Sequence, residues 1–397
     1  MSPALPLDEA QQRLLATITP LPGETLSVDR ACGRWLAHDL SALRTQPAAD
    51  LSAMDGYAVT VDDLAGPWQV VGESAAGHPW PHLLHPGEAV RIATGALIPA
   101  GAGAVVVQED CRREGDRVTL AGAGPTPPDK HIRRAGLDFT LGMPLLPGGT
   151  RMGPAQIALA ITGGHGAVEV GPLPRVAIID SGDELGAMGA PCPPHQIPAS
   201  NGAMLAAMVG ALGCPVTRIG PVRDDLTALV AALESCEGAD VIVTSGGASV
   251  GDHDLVRPAL ERWGATLAFW RVAMRPGKPI MHARRGDMHV LGLPGNPVSS
   301  LVCAHLFLLP MLRAMAGAGQ VLPGRVMARL ASPLPAGGER TEFLRGWWDG
   351  HSVVPNPMRD SSALAALAAS NCLIERPISA EPAKTDEFVA IHLLDTQ

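Results

Sequence analysis

Three short segments combine glycine with hydroxyls, amides and carboxylates in the proportions that a phosphorylated ligand requires: Ser181-Gly182-Asp183-Glu184, Ser245-Gly246-Gly247-Ala248-Ser249-Val250-Gly251-Asp252-His253-Asp254, and Leu293-Pro294-Gly295-Asn296-Pro297-Val298-Ser299. Glycine lets a backbone approach an anion closely, and main-chain N–H groups and serine hydroxyls donate to its oxygens. Asp183, Glu184, Asp224, Asp252 and Asp254 add hard oxygen donors, which suit a divalent cation. Mg²⁺ is the expected ion, since it keeps part of its water shell and takes one or two protein carboxylates beside a phosphate. Glu184 and Asp254 are the favoured functional acids, while Asp224 is equally suited to capping the helix that follows it. A fourth segment, Arg275-Pro276-Gly277-Lys278-Pro279, holds two cations on a proline-stiffened turn and fits an oxyanion.

Each segment has a plainer reading. A Gly-Gly turn or an Asn-Pro cap taken alone is usually punctuation, and single surface acids are usually solvated. Three such loops at three strand ends of one sheet, two of them bearing carboxylates, are more than punctuation explains. Other chemistries lack their residues: Lys278 is followed by Pro and lacks the glycines of a Walker A loop, and no H-E-x-x-H or C-x-x-C pattern occurs. His253 and His305 read as packed or solvent-facing.

The elements that must position these segments form a βαβ alternation. Strands are expected at Val176 to Asp180, Val216 to Ile219, Asp240 to Thr244 and Met288 to Leu291, with helices at Ala203 to Leu212 and Leu226 to Leu233. Such alternation implies a parallel sheet with crossover helices, and ligands bind beyond the carboxyl ends of its strands. Ser200 or Asn201, Asp224, and Asn296 with Pro297 are the candidate helix caps. The apolar stretch Val298 to Leu312 is broken by Ser299, Ser300, His305 and Pro310 and is expected as a buried helix, because a membrane span needs ~20 apolar residues.

Around this core the texture changes. Leu7 to Thr19 carries an amphipathic helical pattern with acids in its first turn. Short β runs, Tyr57 to Val61, Trp68 to Val71, Ala89 to Ile92 and Ala104 to Gln108, suggest a small β domain reaching about His131. A helical pattern at Gly153 to Ile161 is expected to rejoin the first helix, making the β domain an insertion. After Gly317 come strands at Gly324 to Leu330, Glu342 to Trp348 and Glu387 to Leu394, with a helix near Ser362 to Ala369.

The 397 residues suffice for two to four domains, and 46% hydrophobic content supplies their cores. A net charge of −9 and only 3% aromatic residues argue against nucleic acid as a partner. The seven cysteines form no close pair and read as reduced structural thiols. The first nine residues lack a basic or apolar leader, so a cytoplasmic protein, with no membrane contact, is expected.

Six segments in order, Ser52-Ala53-Met54-Asp55-Gly56-Tyr57-Ala58, Arg91-Ile92-Ala93-Thr94-Gly95, Ser181 to Leu185, Ser245 to Asp254, Pro276 to Pro279 and Leu293 to Ser299, resemble the molybdopterin molybdenumtransferases, a family that includes the E domain of gephyrin. The resemblance covers nearly the whole chain. It implies a multidomain α/β and β protein. Residues 1–43 with 138–172 would form an elongated, partly helical, discontinuous dimerisation domain. Residues 44–137 would be an inserted β domain, 173–317 a doubly wound α/β molybdopterin-binding domain, and 318–397 a C-terminal β-barrel-like domain. The implied reaction inserts molybdate, as co-substrate, into adenylylated molybdopterin in a Mg²⁺-dependent step that releases AMP.

Carried onto this sequence, the resemblance assigns Asp254, Glu184, Asp224 and Lys278 to catalysis, and Glu184, Asp224 and Asp254 to the metal. Substrate would be bound by Ser181, Gly182, Asp183, Ser245, Gly246, Gly247, Ser249, Gly251, Asp252, Gly295, Asn296 and Pro297. Molybdate would be held by Arg275, Lys278, Pro279, Ser299, Arg345 and Ser361. A homodimer with a shared active site is implied, Asp55 and Thr94 coming from the other subunit, as is a contact with the molybdopterin adenylyltransferase. Two departures stand out: Arg275 replaces the family's usual Lys, and Ala199-Ser200-Asn201 lacks the Asp of the usual Asp-Ser-Asn. The rival activities are adenylyl transfer to molybdopterin, disfavoured because Gly247 is followed by Ala248-Ser249 where that enzyme usually has Gly-Gly-Thr-Gly, and a non-catalytic peptide-binding scaffold, disfavoured by the intact Glu184, Asp254 and Lys278.

Overall fold

The computed structural model describes residues 4–246, 255–277 and 279–394. Gly247, Ser249, Gly251, Asp252, Asp254 and Lys278 lie outside the described residues.

The central sheet has six strands. Val216–Val222, Val176–Ser181, Val241–Ser245 and Met288–Leu293 run parallel in that spatial order, and Pro279–Arg285 and Thr266–Arg271 extend the sheet antiparallel at one edge. The four strands expected from the sequence are parallel; the antiparallel edge adds to them, because the last three strands follow one another through short connections, and short connections permit only antiparallel pairing. Val176–Ser181 and Val241–Ser245 are buried at every position, which is why they read as unbroken apolar runs. Helices cover both faces. Asn201–Gly210 and Pro297–Met315 share one core with Val176, Ile178, Val243 and Leu291, while Leu226–Glu234 and Val256–Trp263 share the other with Ile179, Ile242 and Met281.

Pro297–Met315 is a continuous 19-residue helix, long and apolar enough to cross a membrane, yet its apolar window is 89% buried inside the protein. It passes through a π-helical turn at Ala304–Leu308 just before Pro310. Its role is that of a core helix.

The first helix is shorter than its pattern, Leu7–Leu15, and it does not pack with Pro154–Thr162. Leu7, Ala10 and Leu14 enter the core under Pro297–Met315 instead. The apolar stripe of the first helix thus matches a surface nearly three hundred residues away, a preference that local pattern cannot reveal. What joins the two flanking segments is β pairing: Glu24–Ser27 with Ala167–Val170 and Leu40–Ser41 with Pro144–Leu146, around a core that includes Val28, Leu36, Met152 and Ala160. Between these pairs lies the inserted six-stranded sheet, in which Gly56–Val59 is flanked by Ala104–Val107 and Glu88–Ile92.

The C-terminal strands close a barrel. Thr341–Trp348, Ser352–Pro355, Val326–Leu330, Phe388–Leu393 and Cys372–Arg376 pair in sequence, and the last pairs back with the first. Met274–Arg275 adds to this barrel alongside Thr341 and Glu342. That two-residue strand fastens the barrel to the α/β domain at the strand-end edge.

Candidate active site

The three strand-end segments meet at glycines. Gly246 has φ +98°, and a methyl group on it would lie 2.5 Å from the Ser181 carbonyl oxygen. Only glycine holds this left-handed backbone at such a close approach without strain. The Gly246 N–H donates to the Leu293 carbonyl at 3.3 Å, and Gly182 N–H to that of Val222 at 3.0 Å. Asn201 locks the junction: its Nδ2 donates to Ser245 Oγ at 2.9 Å and to the Gly295 carbonyl at 2.6 Å. Ser200 occupies the N-cap position without a side-chain cap bond, so Asn201 is spent on the neighbouring loops. Ser181 Oγ is buried and has no hydrogen-bond partner among the described residues, a donor left over for a ligand.

Asn201→Ala removes both ties. About 2–3 kcal/mol of hydrogen bonding to the loops is at stake, and we expect kcat/KM to fall ~30-fold with little change in secondary structure. Steady-state kinetics and circular dichroism check this; unchanged kcat/KM would show that the loops hold their places without Asn201.

The acids separate into two groups. Asp183 and Asp224 are bound reciprocally: Asp183 N–H donates to Asp224 Oδ2 at 3.3 Å, and Asp224 N–H to Asp183 Oδ1 at 3.2 Å. The helix cap is Asp225, whose Oδ1 accepts from Ala228 N–H at 2.8 Å. The capping reading of Asp224 is thereby overturned: the helix begins at Leu226 as expected, its N-cap is therefore Asp225, and Asp224 belongs to the loop. Glu184 lines the cleft between the α/β strand ends and the barrel. Beneath the junction, Asp180 is 4% exposed, lies 3.7 Å from Arg218, and is pushed up from its ordinary pKa chiefly by burial.

The cleft has a volume of about 900 Å³ and two walls. The α/β domain contributes Glu184, Gly246, Arg275, Gly295, Asn296 and Ser299, and the barrel contributes Arg340, Glu342, Arg359, Ser361 and Arg376. Arg275 meets Glu342 at 3.4 Å across the seam. Asn296 Nδ2 donates to Ser361 Oγ at 2.9 Å, and Val298 N–H to the Ser361 carbonyl at 3.1 Å, so the helix start and the barrel loop are pinned together. Pro297 occupies the first position of that helix.

Several expected residues stand elsewhere. Arg345 is 4% exposed and is absent from the cleft wall: its guanidinium donates to the carbonyls of Met358, Asp360 and Ala363. Asp55 and Thr94 do not line the cleft of this chain. They meet where the chain enters the Gly56–Val59 strand and leaves the neighbouring Glu88–Ile92 strand: Thr94 N–H donates to Asp55 Oδ1 at 2.6 Å and holds the carboxyl below its ordinary pKa. Conversely, sequence reasoning assigned no site role to Asn201, Arg340, Glu342, Arg359, Asp360 or Arg376. The Arg359-Asp360 pair immediately before Ser361 was the available signal.

Comparison with known proteins agrees with this architecture along the whole chain. Residues 5–164 match the MoeA N-terminal region (domains I and II), residues 177–314 the probable molybdopterin binding domain, and residues 327–394 the MoeA C-terminal region (domain IV). A molybdopterin molybdenumtransferase of Nostoc sp. is 37% identical over 375 residues, covering 89% of this chain and 85% of that protein. One from Haemophilus influenzae is 32% identical, covering 93% and 94%. A crystal structure of a molybdopterin biosynthesis protein from Pyrococcus horikoshii superposes with a TM-score of 0.85 at 28% identity, covering 99% of this chain and 100% of the other. With relatives this similar aligned across nearly their full lengths, the chain belongs to the molybdopterin molybdenumtransferase family.

Proposed function

We propose that the protein is a transferase of molybdenum cofactor biosynthesis that joins molybdate to molybdopterin, taking the pterin in its adenylylated form and releasing AMP. The observation that carries this reading is the cleft itself: a glycine-lined strand-end edge suited to phosphate faces an arginine-bearing barrel wall suited to a tetrahedral dianion. Two anionic groups are thereby held side by side, which is what joining them requires.

The contribution of the chain is mainly positional. The amides around Gly182, Gly246 and Gly295 orient the phosphate-bearing ligand, Asn201 fixes their spacing, and Ser299, Ser361 and Arg275 face the space left for the oxyanion. To Lys278, Pro279 and Asp254 the family resemblance gives the remaining roles, Lys278 and Pro279 toward molybdate and Asp254 in orienting the reacting oxygen. Among the described residues no three carboxylates converge on one point, but Mg²⁺ takes only one or two beside a phosphate; Glu184, Asp183 and Asp224 are exposed carboxylates on adjoining loops, and Ser181 Oγ is unpartnered. When bound there, Mg²⁺ would neutralise charge on the phosphoanhydride.

We assign the protein to a homodimer in which Asp55 and Thr94 of one subunit complete the site of the other. An apolar surface supports this: Leu43, Leu141 and Met143 are exposed on adjoining turns, Leu43 N–H donating to the Gly163 carbonyl and Ala42 N–H to that of Met143. A contact with the adenylyltransferase that makes the substrate, and residence in the cytoplasm, belong to the same proposal.

The test is AMP release from adenylylated molybdopterin by the purified chain. Release that requires both molybdate and Mg²⁺ is expected. Formation of the adenylate from molybdopterin and ATP would instead assign the neighbouring reaction, and absence of turnover with all components present would remove the catalytic reading.

A further inference from the structure

We propose that Asp180 is a positioning residue for the phosphate-bearing ligand: from the end of Val176–Ser181 its carboxylate caps the neighbouring helix, Asn201–Gly210, and so sets where Asn201 ties the strand-end loops. The proposal rests on the ligand reading given above for that edge. Asp180 itself does not line the cleft, so it acts through other residues.

A helix start leaves backbone N–H groups without partners inside the helix, and a side-chain oxygen from the residues just before it usually accepts one. Asp225 does this for Leu226–Glu234. Asn201–Gly210 has no such acceptor in its own segment: Ala199 carries no side-chain oxygen, Ser200 makes no cap bond, the first turn has no acid, and Asn201 is committed to Ser245 and Gly295. The acceptor comes from the sheet instead. The Gly202 N–H hydrogen-bonds to the Asp180 carboxylate, and Arg218, 3.7 Å away on the adjacent strand Val216–Val222, balances its charge. A buried carboxylate is thereby kept in the charged form that suits a helix N-terminus.

Two glycines make room for Asp180. At Gly202 the three atoms nearest to an added methyl group all belong to the Asp180 carboxyl, with Oδ2 at 2.0 Å. Glycine weakens a helix relative to alanine, so its presence in this first turn marks the close approach. Gly220, two residues after Arg218, has φ +120°, and a methyl group on it would lie 2.4 Å from the Asp180 carbonyl oxygen. Side chain and backbone of Asp180 are thus held from two elements. The constraint passes onward, because Asn201 immediately precedes Gly202 and its amide reaches the two other strand ends, at Ser245 and Gly295. Ser181, with its unpartnered Oγ, immediately follows Asp180. A displaced helix start would therefore shift the three strand-end segments relative to one another and leave the barrel wall where it is.

The experiment uses the full chain with Asp180→Ala, Asp180→Asn and Gly202→Ala, and with Asp180→Ala placed on the Asn201→Ala background. Calorimetric titration with AMP and, separately, with molybdate reads the two walls of the cleft, and amide exchange of the segment 199–206, followed by mass spectrometry, reads the helix start. Asp180→Ala should weaken AMP binding ~10-fold, speed exchange in that segment and leave the molybdate Kd within about twofold. Asp180→Asn keeps one oxygen for the Gly202 N–H and should recover most of the affinity. Gly202→Ala should match Asp180→Ala although alanine favours a helix, because the methyl group displaces the carboxyl. On the Asn201→Ala background, Asp180→Ala should weaken AMP binding by less than about twofold more, since the route through Asn201 is already cut.

Equal losses in Asp180→Asn and Asp180→Ala would overturn the proposal, as would wild-type AMP affinity in Gly202→Ala, a full ~10-fold further loss on the Asn201→Ala background, or unchanged exchange in the segment 199–206. Wild-type protein separates the two readings: if it binds no AMP, the ligand reading of the edge fails, and the exchange measurement still decides whether Asp180 caps the helix.

Discussion

Replacing Glu184 with Gln should lower molybdate-dependent AMP release by ~10²–10³-fold while leaving the fold intact. Glu184 is the described carboxylate of the Ser181 to Glu184 loop that lines the cleft, and it is exposed, so its charge is kept in water until a ligand arrives. Gln preserves its shape and removes only the charge, which is the property a Mg²⁺–phosphate unit would use. The backbone beneath it is firmly set: Gly182 is tied to the Val222 carbonyl, and a methyl group on Gly182 would lie 2.5 Å from Glu184 Oε2. The loss should therefore arise from charge and not from a moved loop. Tm should stay within about 2 °C of wild type, because an exposed, unbridged side chain contributes little to stability. Excess Mg²⁺ should restore part of the rate if weakened ion binding is the cause. Activity within threefold of wild type would remove Glu184 from the machinery.

The site was legible in the sequence wherever function is carried by backbone geometry. Gly182 and Gly246 have positive φ and leave no room for a side chain, Gly295 lies against Gly246, and the βαβ rhythm places all three at one sheet edge. It was less legible where function is carried by long side chains. Arg345 and Arg359 are equivalent in a motif; only the carbonyls of Met358, Asp360 and Ala363 distinguish a clamp from a wall. Asn201 looked like a helix cap because caps are what Asn usually does at that position. Its actual partners lie 44 and 94 residues away. Asp224 and Asp225 differ by one residue in register, and helix starts are uncertain by more than that. The first helix shows the same limit at larger scale: its stripe was correct, but the partner of that stripe is a tertiary choice.

The chain should lose stability as pH falls from 6.5 toward about 4.5, a loss that sets in above the range where its carboxylates titrate. His282, His289 and His305 are 0, 3 and 7% exposed. Burial, followed by neighbouring histidine or arginine charge, lowers their pKa values from 6.5 to about 3, 4 and 3. A histidine with a depressed folded pKa is neutral in the fold and protonated once unfolded, so its contribution is fully present above pH 6.5. It is lost as pH falls toward the folded value. By pH 4.5 each weighs against the fold by roughly 2–3 kcal/mol, and because His282 and His289 share a 3.1 Å hydrogen bond their costs overlap, so the loss is a substantial part of the ~5–15 kcal/mol that stabilises a typical domain. Glu375, held below its ordinary pKa of 4.5 by His392 and Arg325 against the cost of burial, acts lower on the scale. Asp180, pushed up by burial, opposes the trend with at most one proton. His305 links this instability to the site, because it lies in the helix whose first turn carries Ser299 and whose cap, Asn296, holds Ser361. Urea midpoints measured from pH 7.5 to 4.5 should fall steeply for wild type. They should fall less for His305→Phe, which keeps an aromatic ring against His392 at a centroid distance near the present 5.7 Å but cannot take up a proton. A flat stability profile across this range would mean that the buried rings are charged in the fold or reach solvent, and would remove their role as the acid limit of the enzyme.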